Sequence, residues 1–167
     1  TNNIKYSMIP FTSISKLRIN RCHFFHANGY PPDAYKSFLN IISESYNMQS
    51  MLLRQFWGKS FNAKGIKNWD IFLDDLMQYT KENNIHNENA IGHSIGGNLL
   101  LRSALKNQNL YKKIVLLDPT IFSPVIVYLW RILCYFKAHP IIKKAKNRRK
   151  IFNDFEEIFN SYKSKNI

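Results

Sequence analysis

The stretch that decides the fold is Gly92-His93-Ser94-Ile95-Gly96-Gly97, a G-x-S-x-G pattern with apolar residues on both sides. A serine hydroxyl is a weak nucleophile until a base takes its proton, so the side chain must be presented where a base can reach it. A sharp strand-to-helix turn presents a serine in this way, and small residues on either side leave room for the backbones that cross there. The pattern therefore predicts that Ser94 lies on such a turn.

The sequence around residues 92–97 fits this prediction. Residues 89–91 form a short apolar lead-in typical of a buried strand. After the serine, apolar side chains recur at spacings of three and four and predict an amphipathic helix: Leu99, Leu100, Leu101, Ala104 and Leu105. The N–H of Ile95 would open this helix without a partner inside it, directed at incoming negative charge. A glycine-rich turn with an incidental serine is the alternative, and the matching context argues against it.

Strand and helix patterns alternate along the first 120 residues. Strands are predicted at 22–26, 51–53, 89–91 and 114–117, with weaker edge strands at 4–9 and 14–19. Helices are predicted at 33–46, at 69–77 and after Ser94. This alternation predicts an α/β fold, a parallel sheet with helices on both faces.

Ligands of open parallel sheets bind outside the carboxyl ends of the strands. Four polar or glycine-rich features are predicted there: residues 26–31, Trp57-Gly58, Ser94 and Asp118. Because four separate segments reach the same rim, the sequence places the candidate site at that edge of the sheet.

The character of the chain changes near residue 122. We expect an incomplete core at 1–122 and a truncated helical cap at 123–167. The run 137–150 carries seven Lys and Arg residues, which fit a solvated helix face or, alternatively, peripheral contact with an anionic membrane. The apolar run 125–136 is interrupted by Arg131 and is shorter than the roughly 20 residues that cross a bilayer.

Composition limits the classes of protein and partner. The 167 residues are 45% hydrophobic, enough for one compact domain and too apolar for a disordered chain. The net charge of +13 suggests an anionic partner. However, lysine is abundant throughout and no nucleic-acid module is recognisable, so we expect no nucleic acid. Cys22 and Cys134 lie in dissimilar contexts and predict buried thiols, no metal site and a cytoplasmic location, with peripheral membrane attachment as the alternative.

Three segments together carry a resemblance to a known family: HANGYP at 26–31, GHSIGG at 92–97 and LDP at 117–119. The chain resembles the α/β-hydrolase fold superfamily, and within it the esterase-like members that have a helical cap. The resemblance extends over about residues 20–165, including Trp69 and the cap residues His139-Pro140 and Arg148-Arg149.

This resemblance implies a serine hydrolase that acts on a small acyl substrate, a carboxylic ester or related bond, through an acyl-enzyme and without a cofactor. Ser94 would be the nucleophile, and the backbone N–H groups of Ile95 and Tyr30 would form the oxyanion hole. Substrate contacts are assigned to Asn28, Trp57 and His93. For Asn28 a turn role is equally open, and His93 also fits a packed or hydrogen-bonded histidine.

The chain departs from the family order of serine, acid and histidine. Its five histidines are at positions 23, 26, 86, 93 and 139, and none follows a late strand. Asp118 fits either the acid or, more simply, a cap of the turn into Pro119. We therefore expect a fragment, inactive alone, whose base lies elsewhere in a longer hydrolase. The alternatives are a non-catalytic or membrane-surface-binding relative, and the same fold with C–C hydrolase or cofactor-free oxidoreductase chemistry.

Overall fold

The computed structural model describes residues 8–14, 19–58, 66, 68–135, 154, 156 and 157, with the side chains of Pro124, Arg131, Leu133 and Cys134 excepted. The chain divides into two compact units, 1–121 and 122–167, next to the predicted boundary. That the second unit is a cap stays a prediction.

The first unit alternates strands and helices. Its strands are β1 (Phe11–Ile14), β2 (Arg21–Phe25), β3 (Asn47–Met51), β4 (Glu88–His93) and β5 (Tyr111–Leu117). Its α-helices are α1 (Lys36–Ile42), α2 (Asp70–Glu82) and α3 (Ile95–Lys106), and short 3-10 turns lie at Pro32–Tyr35 and Arg54–Phe56.

Within the described residues the strands form one sheet in the order β1-β3-β2-β4-β5. Strands β2, β3, β4 and β5 are parallel, which confirms the predicted α/β fold. Strand β1 is an exception, since it pairs antiparallel with β3 at the edge. It precedes the first crossover helix, so no βαβ connection fixes its direction.

Helices pack on both faces of the sheet, as predicted. Alternate residues of a strand point to opposite faces, so Phe25 packs in one buried cluster and Phe24 in the other. The Phe25 cluster includes side chains of α2 and α3, among them Leu76 and Leu99. The Phe24 cluster includes Leu39 of α1. The core of the first unit therefore lies in two layers, one on each side of the sheet.

Two predicted boundaries were wrong. Strand β3 lies at 47–51 and not at 51–53, because the polar side chain of Ser50 is accommodated in the core by donating to the Phe24 carbonyl at 3.0 Å. The helix predicted at 33–46 is α1 at 36–42, preceded by a 3-10 turn that begins at Pro32. The weak edge strand predicted at 14–19 overlaps β1 at Ile14, and residues 15–18, like residues 4–7 of the other predicted edge strand, lie outside the described residues.

The described part of the second unit is mainly α4 (Pro124–Tyr135). The Phe122 and Trp130 rings pack with their centroids 4.4 Å apart. Among the described residues, every helix is too short or too polar to cross a bilayer. The basic run 137–150 lies outside the described residues.

Candidate functional site

Ser94 lies on the turn between β4 and α3, where the sequence predicts it. Its backbone has φ 54° and ψ −117°, a conformation that costs a non-glycine residue about 1–3 kcal/mol. Its N–H donates to the Leu117 carbonyl at 3.0 Å, and its carbonyl accepts from the Thr120 N–H at 3.1 Å. The turn is therefore held against the carboxyl end of β5.

Three glycines make this turn sterically feasible. A Cβ on Gly96 would lie 2.1 Å from the Phe25 carbonyl oxygen, and one on Gly92 would lie 2.7 Å from the Gly96 carbonyl oxygen. A Cβ on Gly97 would lie 3.0 Å from the Gly92 carbonyl oxygen. The first turn of α3 thus packs directly on the carboxyl end of β2, where the segment 26–31 begins.

The Ser94 hydroxyl does not cap α3; it shares a hydrogen bond of 3.0 Å with the Thr120 hydroxyl. The Thr120 carbonyl in turn accepts from the Asn98 side-chain amide at 2.9 Å. Sequence reasoning missed Thr120. The available signal was that β5 ends at Asp118-Pro119, so the residues that follow must lie beside the turn after β4 if the two strands are neighbours.

The N–H of Ile95 begins α3, so it has no acceptor inside the helix. The N–H of Tyr30 is used differently, since it donates to the Ala27 carbonyl at 3.2 Å and closes a turn in which Gly29 has φ 78°. Of the two predicted oxyanion donors, Ile95 is therefore directed out of the helix end, and Tyr30 is engaged within its own loop.

His26 anchors the segment 26–31. Its ring is fully buried, with Nδ1 donating to the Ala27 carbonyl at 2.8 Å and Nε2 accepting from the Leu53 N–H at 3.1 Å. Burial lowers the pKa of His26, although hydrogen bonds to the backbone oppose the shift. The ring is therefore neutral with both nitrogens occupied, which leaves neither free to accept a proton from Ser94.

His93 directly precedes Ser94, and its Nδ1 lies 2.8 Å from the Tyr35 hydroxyl. The same hydroxyl accepts from the Ala27 N–H at 3.3 Å. His93 is thus a hydrogen-bonded histidine, one of the two roles left open by the sequence.

The remaining predicted residues lie near the rim but do not contact Ser94 by hydrogen bonds in the described structure. The Asn28 side-chain oxygen accepts from Gln55 at 3.1 Å, and the Trp57 indole N–H donates to the Leu52 carbonyl at 2.6 Å. Asp118 is exposed, with φ 42°, immediately after β5. A role of Asn28 and Trp57 in substrate binding and of Asp118 as the acid stays a prediction.

The other described histidines lie away from Ser94. His23 is buried within β2 between the Tyr79 hydroxyl at 3.0 Å and the Glu88 carboxylate at 2.5 Å. His86 is exposed, in the turn before β4. His139 lies outside the described residues. In the part of the chain that is described, no histidine nitrogen hydrogen-bonds to the Ser94 hydroxyl.

Neither a protein-family model nor a curated protein matches this chain. Solved structures do match its fold. An esterase from a marine microorganism is 20% identical with a TM-score of 0.57, covering 78% of this chain and 51% of its own. A carboxylesterase structure of the thaumarchaeon Nitrososphaera gargenis is 16% identical with a TM-score of 0.61, covering 87% of this chain and 58% of its own.

A meta-cleavage product hydrolase from Pseudomonas fluorescens IP01 is 15% identical with a TM-score of 0.55, covering 65% of this chain and 40% of its own. This chain thus spans only about half the length of such structures, all of which are hydrolases. At these identities the likeness concerns the fold alone. The chain has part of the α/β-hydrolase fold.

Proposed function

We propose that Ser94 is the nucleophile of a serine hydrolase that acts on a carboxylic ester or a related acyl bond. The observation that carries this proposal is the strained backbone of Ser94, φ 54°, at the start of a helix that its side chain does not cap. A conformation that costs free energy persists only where the surrounding structure enforces it, and such positions cluster at functional sites. The glycines around the turn support the same conclusion, because each one permits a close backbone contact.

The reaction begins when the Ser94 oxygen attacks the substrate's carbonyl carbon and forms a new C–O bond. Its proton passes to a base, which the family resemblance implies is a histidine of the whole protein. The base then protonates the leaving alcohol as the ester C–O bond breaks, which produces an acyl-enzyme. Water, deprotonated by the same base, releases the acid and restores the serine. In the resting site the Thr120 hydroxyl is the hydrogen-bond partner that Ser94 leaves when it turns to the base.

The negative oxygen of the tetrahedral intermediate would be held by two backbone N–H groups. Ile95 provides one from the first turn of α3, and each such donor contributes about 3 kcal/mol. Tyr30 provides the other by exchanging the Ala27 carbonyl for the substrate oxygen. This exchange leaves no buried acceptor unsatisfied, because the Ala27 carbonyl keeps its hydrogen bond from His26 at 2.8 Å.

The test is covalent labelling of the natural gene product with a fluorophosphonate probe, followed by mass spectrometry of the modified peptide. We expect a single phosphonylated residue, Ser94, and no labelling of Ser94→Ala. Ser45→Ala, which removes an exposed hydroxyl elsewhere, is the matched control and should label like the wild type. Natural protein that leaves Ser94 unmodified, while a known serine hydrolase labels in the same tube, would overturn the proposal.

A second candidate reaction uses the same serine. One structural neighbour is a meta-cleavage product hydrolase, so hydrolysis of a carbon–carbon bond is the alternative chemistry. Substrate profiling separates the two, because an esterase turns over simple p-nitrophenyl esters efficiently. Turnover of a meta-cleavage product with negligible ester hydrolysis would replace the ester assignment.

A further inference from the structure

We propose that Tyr35 is a positioning residue that holds the segment 26–31 in register with the nucleophile. This inference rests on the proposed role of Ser94. Tyr35 ends the 3-10 turn Pro32–Tyr35, eight positions beyond Ala27 and far from the serine motif in sequence. Its hydroxyl nevertheless hydrogen-bonds to the backbone of segment 26–31, at Ala27, and to His93, the residue that precedes Ser94.

The chemistry of the hydroxyl allows both bonds at once. Its oxygen accepts from the Ala27 N–H at 3.3 Å, and its single hydrogen is available for His93 Nδ1 at 2.8 Å. Burial raises the pKa of the Tyr35 hydroxyl, opposed by the bond from Ala27, so it stays protonated near neutral pH.

The ring that carries this hydroxyl is itself held in place. It packs edge-on against Phe24 of β2, with centroids 4.7 Å apart, and against the His93 ring at 5.7 Å. Both neighbours belong to the two strands whose carboxyl ends form the site. Tyr35 therefore couples the position of β2 to that of β4 through ring packing and through its hydrogen bonds.

Backbone packing of Gly96 against Phe25 and His26 also brings the two segments together. Their other side-chain hydrogen bonds lead elsewhere. Ser94 is tied to the β5 end through Leu117 and Thr120, and His26 ties its segment to Leu53 after β3. Among the described residues, Tyr35 is the side chain whose hydrogen bonds join segment 26–31 to the serine turn. An oxyanion hole made from both segments needs them fixed within a fraction of an ångström, and the Tyr35 link adds a side-chain constraint to the backbone packing between them.

The experiment compares Tyr35→Phe with wild type in the rate of Ser94 phosphonylation, measured over a range of fluorophosphonate concentrations. We expect the limiting rate constant to fall about 10- to 100-fold, as for small misplacements of reacting groups, with the half-saturating probe concentration little changed. Tyr111→Phe is the matched control, because it removes another partly buried tyrosine hydroxyl, bonded to Ser103 at 3.1 Å, away from the site. It should label at the wild-type rate.

The outcomes separate the two proposals. Wild-type protein that does not label at Ser94 refutes the proposed function. If wild type and Tyr35→Phe label at Ser94 equally fast, the positioning role is refuted, and the proposal that Ser94 is the nucleophile still holds. Should Tyr35→Phe fail to fold, nitrogen NMR of the wild-type imidazoles decides. A His93 Nδ1 resonance shifted by a hydrogen bond supports the link, whichever of the two partners carries the proton, and the resonance of a solvent-exposed imidazole nitrogen at Nδ1 overturns it.

Discussion

Replacing Gly96 with alanine creates the most severe steric overlap among the glycines that the structure describes. The added Cβ would lie 2.1 Å from the Phe25 carbonyl oxygen, 2.5 Å from the Phe25 carbonyl carbon and 2.8 Å from the His26 carbonyl oxygen. All three atoms are backbone, so no side-chain rotation relieves the overlap. To restore an ordinary contact of about 3.4 Å, α3 must withdraw from β2 by about 1.3 Å.

The magnitude follows from two opposing terms. Alanine in place of glycine favours a helix by about 1 kcal/mol, whereas overpacking against a rigid neighbour costs about 1–3 kcal/mol and occasionally more. At Gly96 the overlap is the deepest, so we expect the free energy of unfolding to fall by about 2–3 kcal/mol. At Gly97 the nearest atoms are 3.0 Å away, so the two terms nearly cancel. Gly92→Ala, with an overlap at 2.7 Å, should fall between them.

Urea unfolding of the three variants measures this order directly. Leu105→Ala, on an exposed position of the same helix, is the control and should change stability by less than about 0.5 kcal/mol. A Gly96→Ala variant as stable as the wild type, or one less destabilised than Gly97→Ala, would contradict the close approach of α3 to β2.

The charged pairs make further predictions. Burial raises the pKa of Glu88, but hydrogen bonds and charge from a histidine and an arginine outweigh it and hold the pKa below its usual 4.5. The ionised Glu88 carboxylate therefore stabilises the fold fully above about pH 4.5, and this stabilisation is lost as the pH falls through the lower folded-state pKa. In Glu88→Gln the free energy of unfolding should fall less steeply as the pH is lowered. An unchanged pH dependence of unfolding would refute the assignment. Arg54 donates to Asp75 at 2.7 Å, and Asp75 is 5% exposed, so Arg54→Met should cost about 3 kcal/mol by leaving a buried carboxylate unpaired. Arg102→Met, which breaks the more exposed pair with Asp70, should cost under about 1 kcal/mol, and equal losses in the two variants would refute this contrast.

Much of the first unit could be predicted because its signals are local. Strands β2 and β4 are short apolar runs bounded by polar residues, and the turn at 92–97 is dictated by glycines with severe steric contacts. Strand β3 was displaced in the prediction because Ser50 and Gln49 break its apolar pattern. Ser50 can be buried because its hydroxyl donates to the Phe24 carbonyl. This partner is 26 positions away, so the local sequence does not predict it.

The residues of the candidate site also fall into two groups, those that the local sequence predicts and those that it does not. Ser94 and Ile95 were predicted at the turn where the structure has them, because residues adjacent in sequence create that turn. Thr120 and Tyr35 were not, because their contacts with Ser94 and His93 depend on which strands become neighbours. Only the sheet order β2-β4-β5, which composition and periodicity do not specify, brings these side chains together.

A crystal structure of the natural protein after reaction with a fluorophosphonate tests the central claim most directly. We expect phosphorus bonded to the Ser94 oxygen, with the phosphoryl oxygen about 3 Å from the N–H groups of Ile95 and Tyr30. We also expect that the Tyr30 N–H has then left the Ala27 carbonyl. An adduct on another residue, or a phosphoryl oxygen directed away from the first turn of α3, would contradict it.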